Sequence, residues 1–192
     1  NNEDIFEKSD ALDDFNGAEA IYNKYEVIKQ ELSKIKGVEG VSTGAFDFGN
    51  ESNSSSSFSY EGVDIQGQNM AVDFGMLDMM KIKVLKGRNL SSKFASDTIN
   101  SMMINEATAR LMNEKDPVGK EVMWNDKKLT IVGVVNDFNL YSPQSKVPAM
   151  VFFHFKTIDW MSYNMHKVHV KIKSENMEQT IAAIEKFWKK NI

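Results

Sequence analysis

Two segments near the ends of the chain carry apolar residues at helical spacing. In residues 18–36 the apolar positions alternate steps of four and three, which places them on one face of a helix. These positions are Ile21, Tyr25, Ile28, Leu32 and Ile35. Gly37 follows where such a helix commonly ends. The same spacing recurs in a last helix, which Ser174 or Asn176 can cap. Its apolar face holds Met177, Ile181, Ile184 and Trp188.

Between the helices the apolar period shortens to two, which is typical of strands. Residues 49–57 are polar and are predicted to form a mobile loop or a hairpin tip. The two strands that follow this run are predicted to join around Gly67. The strands are predicted at 38–48, 58–65, 68–75, 82–87, 101–105, 120–124, 128–135, 148–155 and 166–173.

Local signals predict short helices and turns between these strands. A helical turn is expected at 76–80. Asn105 is a predicted N-cap, and Glu106 lies in the first helical turn, where a negative charge suits the helix dipole. Asn125 and Asp126 tolerate the backbone of a tight hairpin turn.

The order of elements predicts an α+β fold with two subdomains, because each amphipathic helix needs a sheet to cover. One mixed-sheet subdomain is expected to form from both chain ends, residues 18–51 and 143–192. A mainly β subdomain, residues 52–142, is expected to be inserted between them. Residues 1–17 are expected to be an N-terminal extension that follows a removed transmembrane helix.

Composition excludes several classes of function. The 192 residues carry a net charge of -4, with the lysines scattered along the chain, so no basic surface for nucleic acid is predicted. The chain has no cysteine, which rules out thiol catalysis and thiolate metal sites. No apolar run approaches the roughly 20 residues of a membrane helix.

The histidines and two aspartates are candidate sites of chemistry. His166 and His169 are three apart in a predicted strand and so face opposite sides, and His154 lies in another strand, so no metal site is predicted. Asp97 and Asp137 follow apolar segments and could serve acid–base work. A role in binding backbone donors at turns is favoured for both.

Other conspicuous residues have structural interpretations. Arg88 can bind a carboxylate in a brace, with Asp97 or Glu106 as partner, and this is favoured over ligand binding. Gly119 and Gly133 lack the spacing of a phosphate loop, and Gly133 predicts a bulge or close backbone packing. Clustered methionines could form an adaptable surface or a copper site, but core filling is favoured. They are Met76, Met79, Met80, Met102 and Met103.

Five short motifs follow one another in a fixed order: Gly37–Val38, Gly87–Leu90, Ile104–Leu111, Asp116–Lys120 and Thr130–Phe138. In this order they resemble the periplasmic core domain of MacB-type, FtsX-like ABC transporter permeases, over about residues 18–190. Leu90 stands where that family usually has a phenylalanine, and Met112 and Asn113 stand where it commonly has a leucine–glycine pair. The final segment of the family's domain is expected to be missing from this sequence.

The resemblance implies a non-catalytic domain on the periplasmic side of the cell inner membrane, without cofactor or metal. Its terminal subdomain would be porter-like and its inserted subdomain sabre-like. The implied partners are a second permease subunit in a homo- or heterodimer, a cytoplasmic ABC ATPase, and a periplasmic adaptor, lipoprotein or peptide cargo. The domain would couple ATP-driven motion of membrane helices to export or to an extracytoplasmic partner. The alternatives are a ligand- or peptide-sensing module and a secreted hydrolase that uses paired carboxylates.

Overall fold

The computed structural model describes residues 5–8, 15–45, 55–139, 146–158 and 167–191. The chain divides into a terminal unit, Asn1–Ala45 with Trp160–Ile192, and an inserted unit, Phe46–Asp159. Both units combine helices with a sheet, and most strand pairings are antiparallel, so the predicted α+β class is confirmed.

The described elements, in chain order, are ten strands, four α-helices and one 3-10 turn. The helices are α1 (Phe15–Ser33), α2 (Met76–Met79), α3 (Glu106–Leu111) and α4 (Met177–Asn191), and the 3-10 turn is Ala95–Thr98. The strands are β1 (Ile5–Lys8), β2 (Val38–Thr43), β3 (Ser55–Tyr60), β4 (Val63–Val72), β5 (Val84–Gly87), β6 (Ser101–Asn105), β7 (Glu121–Trp124), β8 (Lys127–Val135), β9 (Met150–His154) and β10 (Val168–Ile172).

The terminal unit holds a three-stranded sheet in the order β1-β10-β2, with both pairings antiparallel. Two helices accompany the sheet. The predicted apolar faces of these helices contribute to the core of the unit, because Tyr25, Ile28 and Leu32 of α1 and Ile184 and Trp188 of α4 are buried. Both predicted end helices are confirmed.

Gly37 ends the first helix region as predicted. Its φ of 97° is the left-handed conformation that glycine adopts without steric cost. A Cβ atom at this position would lie 2.3 Å from Thr180 Oγ1. The Thr180 hydroxyl lies 3.2 Å from the carbonyl of Lys36, to which it donates. Glycine therefore lets α4 approach the end of the α1 region closely.

The inserted unit is a seven-stranded sheet in the order β5-β8-β6-β9-β4-β3-β7. Strand β7 also pairs with β8, so six strands close into a ring and β5 remains outside it. The pairs β4–β9 and β6–β8 are parallel and the others are antiparallel. Among the described strands, the mixed sheet expected in the terminal subdomain thus lies in the inserted unit.

Two predicted boundaries between the subdomains are wrong. Strand β9 was expected in the terminal subdomain, but it pairs with β4 and β6 of the inserted unit. All five of its residues are buried, and the strands on both sides bind its backbone groups, so it is a central strand of that sheet. Strand β1 lies in the predicted N-terminal extension, yet it pairs with β10.

Two predictions about the first hairpin are also wrong. Ser55–Ser57 belong to β3, whereas residues 46–54 of the predicted strand end and polar loop lie outside the described residues. The turn between β3 and β4 uses Glu61 and Gly62, whose φ values are 49° and 80°. Gly67 instead continues β4, opposite Ser56. A two-residue turn with two positive φ angles matches the twist of a hairpin, so a turn at Glu61 and Gly62 is more favourable than one at Gly67.

Candidate functional site

Arg88 and Asp97 form a brace beneath the end of β5. Arg88 Nη1 lies 2.5 Å from Asp97 Oδ2, and Nη2 lies 2.8 Å from Oδ1. The amide of Ser91 donates to Oδ2 at 2.9 Å, and the Phe94 ring lies 3.8 Å from Arg88 Cζ. Of the two proposed partners of Arg88, the structure selects Asp97. The planar guanidinium thus bridges a carboxylate and an aromatic ring, as its shape allows.

The brace keeps Asp97 ionised although its side chain is fully buried. Burial alone would raise the pKa of Asp97, but hydrogen bonds from Arg88 and Ser91 outweigh it and hold the pKa below its usual value. The same hydrogen bond raises the pKa of Arg88 against the opposing effect of burial. All of these contacts bind the loop after β5 to the 3-10 turn, so they support the structural interpretation of both residues.

Asp137 binds the start of α3. Its Oδ1 accepts from the Ala107 amide at 2.9 Å and its Oδ2 from Arg110 Nη2 at 2.5 Å. In return, the Asp137 amide donates to Glu106 Oε2 at 3.1 Å. Asp137 therefore satisfies a backbone donor at a helix start, which confirms the interpretation favoured from sequence.

The histidines are dispersed along the fold. His154, in β9 of the inserted unit, is buried with its Nε2 3.4 Å from Asp73 Oδ1, and its ring stacks on Phe155. His169 is buried in β10 of the terminal unit, and His166 lies outside the described residues. Over the described ranges, no group of three His, Asp or Glu side chains is placed to hold a metal ion.

The methionines and Gly133 have the packing roles predicted for them. Met76, Met79, Met102 and Met103 are buried, and Met80 packs partly buried against the same core. A Cβ at Gly133 would lie 2.3 Å from the carbonyl oxygen of Arg88, and the β6–β8 register shifts opposite it. The predicted bulge and close backbone packing are both present.

Asn105 is a bridging residue that sequence reasoning found only in part. It caps α3 as predicted, since its Oδ1 accepts from the Thr108 amide at 3.0 Å. The same oxygen accepts from the Met150 amide, and its Nδ2 donates to the Pro148 carbonyl, both at 2.9 Å. The cap motif signals the helix start, but nothing local in the sequence signals the link to β9.

A groove of about 510 Å³ lies between β5 and α3 in the inserted unit, and sequence reasoning did not anticipate it. Its volume is within the range of sites that bind small ligands. Its apolar lining comes from Leu85, Ala109, Pro117 and Val134. Asn113 and five charged residues line the remainder: Lys86, Glu106, Arg110, Glu114 and Lys115.

These arrangements favour contact and bracing over reaction chemistry. Asp97 and Asp137, the two candidate catalytic carboxylates, are both occupied by arginine and by backbone amides. Of the helices that the structure describes, none has the length and apolarity to cross a membrane. The described part of the inserted unit therefore combines internal braces with an accessible groove.

The family of this domain follows from its sequence. Residues 5–187 match the model of the MacB-like periplasmic core domain, and the chain belongs to that family. The family comprises periplasmic or extracellular domains of ABC transporter permeases, which work with cytoplasmic ATPases and are not a known class of enzyme. No curated protein matches the chain in sequence.

Solved structures of related domains share the fold. The periplasmic region of MacB from Actinobacillus actinomycetemcomitans is 16% identical with a TM-score of 0.65, and the alignment covers 86% of this chain and 72% of that one. The extracellular domain of the noncanonic ABC-type transporter YknZ from Gram-positive bacteria is 18% identical, with a TM-score of 0.62 and coverage of 81% and 76%. A domain of a putative permease from Porphyromonas gingivalis is 19% identical, with a TM-score of 0.60 and coverage of 83% and 73%.

Proposed function

We propose that this domain is a non-catalytic lever of an ABC transporter permease. It couples ATP-driven motion of membrane helices to export or to an extracytoplasmic partner. The observation that carries this proposal is the sheet of the terminal unit, in which β10, from late in the chain, lies between β1 and β2, from early in the chain. Movement of either end of the chain therefore reaches one hydrogen-bonded sheet.

The lever interpretation requires units that move without deforming. In the inserted unit, ring closure and the Arg88–Asp97 and Asn105 bridges oppose deformation. Breaking any of them would expose buried polar groups or leave them without hydrogen-bond partners. The motion is then a rigid-body rotation of the kind that domains undergo about a few connecting residues. The domain acts on the periplasmic side of a permease dimer in the inner membrane, and the permease works with an ATPase on the cytoplasmic side.

Distance measurements between spin labels in the full permease test the lever. Because this chain has no cysteine, labels can be attached at substituted Val63 and Ile99, which are exposed and both lie in the inserted unit. We expect the distance between the Val63 labels of two protomers to change between the nucleotide-free and ATP-bound states. The Val63–Ile99 distance within one protomer should stay constant. A constant distance between protomers, or a changed one within the protomer, would contradict the lever.

A second function, sensing of a small ligand or peptide, is favoured by the groove between β5 and α3. A ligand that binds only the folded domain raises its melting temperature by mass action. We expect a screen of small molecules by thermal shift to find no ligand if the domain acts only as a lever. A saturable shift with a small molecule that Ala109→Trp abolishes would instead support the sensor.

A further inference from the structure

Strand β5 presents an edge that no described strand covers. It pairs with β8 on one side only and stands outside the closed ring. The outer backbone groups of such an edge strand can pair with another chain. Leu85, in the middle of β5, is 49% exposed.

The groove beside this edge has the form of a seat for an extended chain. One wall is β5 and the other is the face of α3 that carries Glu106, Ala109 and Arg110. Leu85 and Val134 supply apolar surface from the two paired strands. A helix wall opposite a free strand edge is a geometry in which peptides bind by adding a strand.

Exposed lysines precede β5 in the sequence or line the groove. Among the described residues, the ammonium groups of Lys81, Lys83 and Lys115 have no ion-pair partner. Of the two glutamates that line the groove, Glu114 pairs with Lys120 Nζ at 3.4 Å, whereas Glu106 accepts from the neutral Asp137 amide and keeps its charge. Three unpaired ammonium groups against this one carboxylate leave a positive excess beside β5, which complements an acidic segment.

We propose that an extended acidic segment of a partner protein binds in this groove and pairs with β5 as an added strand. Lysine on an edge strand can also serve only to prevent aggregation. Protection against aggregation does not explain why a half-exposed leucine lies beside the groove. A bound segment would cover this leucine. The inference deepens the proposed function, on which it rests for the existence of a partner, by naming the chemistry of that partner.

Binding of a defined peptide to the 192-residue chain tests the inference. The probe is a short end-capped peptide in which glutamate alternates with valine, and the control probe replaces each glutamate with lysine. We expect saturable binding of the acidic probe alone, weakened by added salt because screening reduces the charge attraction. Hydrogen exchange of the amides in Val84–Gly87 should slow on binding, which a purely electrostatic surface contact would not produce.

Three substitutions separate the contributions to binding. Leu85→Asp removes the apolar contact and adds a negative charge, and Ala109→Trp fills the groove without changing its charge. Each should weaken binding by about tenfold or more, which equals about 1.4 kcal/mol. Lys83→Glu should weaken it several-fold and reduce its dependence on salt. The matched controls are Val63→Asp, at an exposed position of β4, and Lys24→Glu on α1, which should leave the affinity unchanged.

The outcomes are decisive in both directions. The inference is overturned if the acidic probe does not bind, if both probes bind equally, or if Leu85→Asp and Val63→Asp have the same effect. Circular dichroism of each variant shows whether it is folded. Should Leu85→Asp unfold, Ala109→Trp and the exchange data still decide. Failure of peptide binding alongside an ATP-dependent change in the spin-label distances would overturn strand addition alone and leave the lever standing.

Discussion

The two units of this domain manage their buried polar groups differently. In the inserted unit, buried Asp97, Asn105 and Thr108 are bound by charged or backbone partners from other elements. In the terminal unit, buried Thr43 and Thr180 donate to backbone carbonyls, but the buried Ser42 Oγ and Trp188 Nε1 have no hydrogen-bond partner among the described residues. The comparison indicates that polar bridges specify the inserted unit, whereas apolar packing of α1 and α4 dominates in the terminal unit.

Breaking the Arg88–Asp97 brace should cause the largest loss of stability, and the loss should be confined to the inserted unit. Asp97→Ala leaves a partly buried guanidinium and the Ser91 amide without their acceptor, and we expect a loss of about 3 kcal/mol in the free energy of unfolding. Urea unfolding measures the total loss in the free energy of unfolding, and hydrogen exchange shows which unit loses protection. The control, Asp116→Ala, removes the exposed partner of Lys86 and should cost under about 1 kcal/mol. Equal loss of protection in both units would break the comparison.

The terminal unit should respond most to a change in packing. Gly37→Ala introduces a Cβ at a φ of 97° and 2.3 Å from Thr180 Oγ1, so we expect destabilisation by about 2 kcal/mol. Thr180→Ala removes the obstructing hydroxyl, and the double variant should therefore lose less than the sum of the two single variants. Additive losses in urea unfolding would show that backbone strain alone is responsible.

Alkaline pH should weaken the inserted unit through Tyr60. Burial, followed by its hydrogen bond to Glu114, raises the pKa of Tyr60 from 10.0 to about 12. The folded state then holds this proton more tightly than the unfolded state, so its stabilising effect is complete below pH 10 and is lost as the pH rises toward 12. The difference in tyrosinate absorbance between the native chain and Tyr60→Phe should appear near pH 12 in the folded protein. A difference near pH 10 would contradict this assignment.

The smallest effect is expected at Ser42. Its hydroxyl is buried without a partner among the described residues, so Ser42→Ala removes a desolvated polar group and should change stability by less than about 0.5 kcal/mol or increase it. Thr43→Val is the contrasting variant, since the Thr43 hydroxyl donates to the Lys167 carbonyl at 2.6 Å and its loss should destabilise the domain. Thermal melting compares the two variants directly. A large cost at Ser42 would show that its hydroxyl has a partner after all.

Local features of the sequence predicted most elements but not their assembly. The period of apolar residues located α1 and α4, an unbroken apolar run located β9, and the cap chemistry of Asn105 located α3, because these signals lie within a few residues of one another. The partners of β9 lie about eighty and fifty residues earlier in the chain, in β4 and β6, and no local pattern encodes them. For the same reason the groove was missed, since its walls come from separate segments.

The position of β1 has a practical consequence for shortened versions of this domain. Ile5–Lys8 cover one side of β10, and β2 covers the other. A truncation that begins at the first helix would leave one flank of β10 bare, with its amides and carbonyls open to a strand from a neighbouring molecule. Such a fragment would tend to exchange strands and form dimers or larger species at high concentration, even though both helices and the whole inserted ring were intact.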